Sequence, residues 1–103
     1  MHRAKTAEEY IDLVKQAVFE VEELRMAMEY DVESMQETST FVDQLESQIK
    51  ALYRSMEDGT YQFVNQDLPY MPLLNRCDDR VLPFKYLLRV INETHRKGLD
   101  VEL

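Results

Sequence analysis

The sequence predicts an all-α protein, built as a long N-terminal helix, an apolar linker and a C-terminal helix packed back on it. Three observations predict this. Residues 6–58 contain neither Gly nor Pro. Within them apolar residues recur in alternating steps of four and three: Tyr10, Val14, Ala17, Val21, Leu24, Met28, Met35, Val42, Leu45, Ile49, Leu52 and Met56. That is the repeat of helices that share a seam. Finally, Phe84, Leu87, Leu88 and Ile91 follow the i, i+3, i+4, i+7 pattern of a packed helix ahead of Gly98.

Residues 1–5 read as frayed. Thr6-Ala7-Glu8-Glu9 is a capping box, in which the Thr6 hydroxyl accepts from the Glu9 N–H. Glu8 and Glu9 also suit the positive end of the helix dipole. Ile11, Leu13, Val18 and Val32 widen the apolar stripe beyond a strict two-position seam, which predicts more than one packing neighbour. Asp12, Gln16, Glu23, Tyr30 and Glu37 occupy the opposite, solvent-facing side.

Thr38, Ser39 and Thr40 are the one doubtful place, because hydroxyl residues compete for backbone hydrogen bonds. The helix breaks there if it breaks at all, with Thr40 ahead of Asp43 as a second start. Against a break, Met35, Val42 and Ile49 keep the seam in phase, and no Gly, Asn or Pro offers a turn. The phase therefore favours one long helix over a helical hairpin. Asp58-Gly59 ends it, with Gly59 suited to a left-handed cap.

Residues 60–79 form a linker rich in Tyr61, Phe63, Val64, Leu68, Tyr70, Met71, Leu73 and Leu74, with Pro69 and Pro72 opposing regular helix. So apolar a stretch is expected to pack on the helices, with a short turn near residues 73–76. Asp78 or Asp79 would cap the last helix and Pro83 would sit in its first turn. Gly98 would close it after His95, Arg96 and Lys97.

Length argues for company. A continuous helix of about 50 residues is about 75 Å long, whereas a C-terminal helix of roughly 16 residues covers only about 24 Å of it. The uncovered seam would exceed the apolar patch a monomer tolerates. The expectation is a homodimer, a coiled-coil-like or helical-bundle assembly, through Val14, Val21, Leu24, Met28, Met35, Val42, Leu45, Ile49, Leu52 and Met56. If the helix breaks, its halves can cover each other and a monomer becomes feasible.

Composition bounds function. The chain has 103 residues, 45% of them apolar, which fits a single domain with a modest core. No run of about 18 apolar residues offers a membrane span. Met-His-Arg-Ala-Lys leads into a Glu-rich segment rather than a signal sequence, and the single Cys fits a reducing compartment, so a cytoplasmic location is expected. The formal net charge of −8 lies entirely in residues 1–58, which hold 14 acidic and 6 basic residues. Such a segment repels phosphate backbones and disfavours nucleic acid.

Chemistry-bearing motifs are weak. Cys77 with His95 as base would be a nucleophile pair, but no family signature surrounds the Cys. His2, Cys77 and His95 lack metal-ligand spacing, and the carboxylate pairs Glu22/Glu29 and Glu33/Glu37 lack the accompanying His of a diiron bundle. No cofactor or metal is called for. Asn92-Glu93-Thr94 fits the glycosylation pattern but falls inside the last helix. Arg80, Lys85, Arg89, Arg96 and Lys97 form a basic stripe, expected to face the acidic helix of its own or a sister chain. Leu68, Tyr70 and Met71, flanked by Pro69 and Pro72, fit either a partner-binding segment or a linker packed on its own helices. The reading reached is a non-enzymatic helical interaction or assembly protein that self-associates and binds a protein partner. The alternatives are a small helical enzyme using Cys77, His95 or clustered carboxylates, and a nucleic-acid regulator using the basic stripe.

Overall fold

The computed structural model describes residues 3–29, 36–76, 82 and 84–100. Four helices are found among them: α1 (Ala7–Glu29), α2 (Gln36–Glu57), α3 (Met71–Asn75) and α4 (Lys85–Lys97). The described residues contain no strand, so the all-α class stands. α1 packs on both α2 and α4.

The seam is folded against itself. Arg25 of α1 pairs with Asp43 and, at 2.9 Å, with Glu46 of α2, while Lys50 of α2 reaches back to Glu22 at 3.3 Å. As the α1 number falls the α2 number rises, so the two helices are antiparallel. The continuous helix that the seam's phase favoured is therefore replaced by the hairpin. Thr38, Ser39 and Thr40, the expected break, lie inside α2, and the chain turns back between Glu29 and Gln36. The physical reason is that α2, at about 33 Å, nearly matches the roughly 35 Å of α1. Each helix covers the other, and Val14, Val21, Val42, Leu45 and Ile49 are buried between them and their neighbours in the one chain.

The ends of the helices follow local chemistry. The Glu9 N–H donates to the Thr6 hydroxyl at 3.0 Å, as the capping box requires. α2 ends on Gly59 at φ +80°, a left-handed conformation that disfavours side chains. Thr60 donates from both its N–H and its hydroxyl to Asp58, which holds that carboxyl below its ordinary range. α4 closes at Gly98, φ +84°, whose N–H donates to the Thr94 carbonyl at 2.7 Å.

Two expectations need correction. Residues 3–5 are not frayed: Ala4 is buried, its N–H donates to the Thr94 hydroxyl at 3.1 Å, and its carbonyl accepts from Asp100 at 2.8 Å. Arg3 adds an ion pair to Asp100 at 3.4 Å. These long-range partners tie the segment to α4. α4 itself has Phe84 at its N-cap, without a side-chain cap bond. Asp78, Asp79 and Pro83, expected to start that helix, lie outside the described residues.

Between α2 and α4 the linker is strapped down. Tyr70 is buried and its hydroxyl donates to the Leu88 carbonyl at 2.6 Å. Asn92 accepts from the Leu68 N–H at 2.7 Å and donates to Asp67 at 3.0 Å. α3 is the short turn expected near Leu73, begun two residues earlier, with Leu73 and Leu74 buried.

Candidate functional site

The chemistry-bearing side chains that the fold gathers lie where the linker crosses α1 and α4. The seam position of Tyr10 points its ring at the linker, which brings Tyr61 and Phe63, and α4 supplies His95. Tyr10 and Phe63 stack with centroids 5.7 Å apart and planes 17° apart, and Tyr61 meets both edge-on. Such aromatic pairs contribute about 1 kcal/mol each beyond burial. The His95 ring tilts against Tyr61 at 5.6 Å.

Hydrogen-bond directions follow from counting protons. The Tyr10 hydroxyl donates its only proton to the Ile91 carbonyl, 3.1 Å away. Its 2.9 Å contact with the Tyr61 hydroxyl must then be donated by Tyr61. The 2.6 Å contact between Tyr61 and His95 Nδ1 is in turn donated by the imidazole. A directed chain results: His95 Nδ1–H to Tyr61, Tyr61 to Tyr10, Tyr10 to the α4 backbone. His95 is thereby held with its proton on Nδ1.

Burial sets the protonation states. It raises the phenols of Tyr10 and Tyr70 far above their ordinary range and pushes Tyr61 up to about 12. Burial also lowers His95, which favours the neutral ring. The network is neutral near pH 7, so it serves as a clasp for the linker. Beside it Ala7, Tyr10, Ile11, Met56, Tyr61 and Phe63 line an open apolar recess of about 180 Å³. A second, larger groove of about 350 Å³ between α1 and α4 is lined by Leu13, Leu87 and Val90 together with Tyr86, Arg3 and Glu9.

Val14, Val21, Val42, Leu45 and Ile49 are buried within the single chain, and Leu24, Leu52 and Met56 pack partly buried against them. In this fold those five core members have no surface to offer a second copy. Met35 and the side chain of Met28 lie outside the described residues. Leu68 and Tyr70 are buried and Met71 packs against the core, so the linker faces its own helices.

Two members of the basic stripe have ion-pair partners that can be named among the described residues. Arg80 lies outside the described residues, Lys85 is half-buried and Arg89 is exposed. Arg96 pairs with Asp67 at 3.5 Å and Lys97 with Glu93 at 2.6 Å, partners in the linker and in α4 rather than in the acidic N-terminal helices. Cys77 and His2 also lie outside the described residues. No cluster of three metal-ligating side chains occurs among the described residues, and no helix among them is long and apolar enough to cross a membrane.

Sequence reasoning missed Asn92 and Thr94 as buried anchors. Their signal was present, because the apolar spacing of α4 continues from Ile91 to Thr94 and His95, putting polar groups at core positions. Comparison of the chain with protein-family models, with curated proteins and with solved structures finds no match.

Proposed function

We propose that this chain is a non-enzymatic helical interaction module that works in the cytoplasm by presenting apolar side chains to protein partners, a second copy of itself among them. The observation that carries this reading is exposure beside a closed core. Phe19, Met26, Phe63, Val64 and Tyr86 are 43–60% exposed although Val14, Val21, Leu45 and Ile49 are at most 1% exposed. Single exposed apolar residues need no explanation. Here Phe63 borders the aromatic recess and Tyr86 stands beside Leu13, Leu87 and Val90. The groove beside Tyr86 is an apolar surface flanked by Arg3 and Glu9, the composition of protein contacts, and the recess beside Phe63 is apolar throughout its side chains.

Self-association, on this reading, uses the outward side chains and not the seam. Light scattering coupled to size exclusion, from about 10 μM to 1 mM, spans the range of weak to moderate dimers. A mass that climbs above 12.3 kDa with concentration, and returns to it in Tyr86→Ser or Phe63→Ser, supports the reading. A mass fixed at 12.3 kDa throughout removes self-association and leaves the module to a different partner.

A further inference from the structure

We infer that the outer face of α1 is a docking surface for a cationic amphipathic helix of a partner protein. The inference rests on the interaction reading above and names the partner's chemistry. Asp12, Gln16, Phe19, Glu23 and Met26 succeed one another in steps of four and three along α1 and are all exposed. They form a second stripe, turned away from the seam of Tyr10, Val14, Ala17 and Val21, which is buried. Its two large apolar members, Phe19 and Met26, are 55% and 54% exposed. Seven residues apart, they stand about 10 Å from each other along the axis, the spacing at which one helix offers successive anchors to another.

Charge decides among occupants. α1 carries Glu8, Glu9, Asp12, Glu20, Glu22, Glu23 and Glu29 against Lys15 and Arg25. Arg25 is committed to Asp43 and Glu46 at the α2 rim, and Glu22 to Lys50. Glu20 accepts only a neutral Gln16 amide, at 2.8 Å, which leaves its charge uncompensated. Lys15 alone opposes Asp12, Glu20 and Glu23. A phosphate backbone or an anionic bilayer is repelled by this field, and so is the same face of a second copy. Lys or Arg flanking two apolar residues spaced one heptad apart answers both features at once. Met26 is an adaptable contact and Phe19 a rigid one, a combination suited to a helix-in-groove or helix-on-helix partner.

The test uses the full chain and a fluorescein-labelled Lys/Leu peptide of about five helical turns with Leu at i, i+3, i+4 and i+7. Its control is a scrambled peptide of identical composition. Anisotropy titrations are run at about 50 and 300 mM salt, either side of the screening expected near physiological strength. The expected result is binding of the patterned peptide about tenfold tighter than the scrambled one, with that margin lost in Phe19→Ser/Met26→Ser. Glu23→Gln/Asp12→Asn is expected to weaken binding and flatten its salt dependence. Unchanged helical circular dichroism shows that the exposed substitutions leave the fold intact. Equal affinity for both peptides, no effect of the Phe19/Met26 pair, or no binding overturns the assignment. If the peptide fails while the mass still rises through Tyr86 or Phe63, this surface falls and the interaction reading stands. If both fail, both fall.

Discussion

Along the α1–α2 hairpin, Val14, Val21, Val42, Leu45 and Ile49 meet as bare hydrocarbon, and the ion pairs of Arg25 and Lys50 lie at its rim. Around α4, by contrast, Asn92, Thr94 and His95 are buried together with Leu88 and Ile91, and each polar side chain finds a partner in a distant segment. The two regions solve different problems. An aliphatic seam contributes free energy in proportion to area and accepts any cover of suitable volume. Buried hydrogen bonds contribute less on average but penalise heavily any arrangement that leaves them unmade. The hairpin therefore supplies stability, and the α4 end fixes how the linker and the N-terminus lie.

The largest effect is expected on the aliphatic side. Leu45→Ala removes a fully buried side chain from the middle of α2 and should cost about 3 kcal/mol in denaturant unfolding. A cost under about 1 kcal/mol would mean that the hairpin is loosely packed. On the polar side, Asn92→Ala strands the Leu68 N–H and should cost about 2 kcal/mol. It should also speed hydrogen exchange in the linker while leaving α1 and α2 protected. Uniform acceleration in all helices would erase the proposed division of labour.

Acid should probe the same contrast. Because burial lowers His95 in the folded chain, the unfolded chain binds the proton more readily between that lowered value and about 6.5. Its contribution is fully present above about pH 6.5 and is lost as pH falls through the folded value. Thermal melts from pH 7 to 5 should show a declining midpoint, with a shallower decline in His95→Gln. An unchanged slope in that variant would take His95 out of the clasp. The smallest effect belongs to the rim. Arg25→Ala should change stability by less than about 1 kcal/mol, because its guanidinium and Asp43 are 37% and 54% exposed. A larger loss would give the ion pairs a part in holding the hairpin.

Much of the fold was legible. The Thr6 cap, the Gly59 and Gly98 ends and the buried members of the seam are consequences of residues within a few positions of one another. The turn was missed because seam phase was read as continuity, and the one break considered was at Thr38, Ser39 and Thr40. Those three residues lie inside α2, and the direction of the chain reverses between Glu29 and Gln36. Seam phase carried no information on the matter, since an interval of seven residues preserves it whether the chain runs on or reverses. The aromatic clasp was half legible: Tyr61, Phe63 and His95 stood out by type, but nothing local to Tyr10 says that its hydroxyl meets two partners.

By itself, then, the sequence determined that the chain is helical, where α1 begins, where α2 and α4 end, and which side chains shun water. Periodicity and capping are short-range properties, read within one or two turns of backbone. Tertiary structure alone decided whose surface covers the stripe and how the linker crosses the bundle. Hydrophobic burial is non-directional and indifferent to whether its cover comes from the same chain or another. Only the placement of residues far apart in sequence, such as Glu22 with Lys50 and Leu68 with Asn92, resolves that choice.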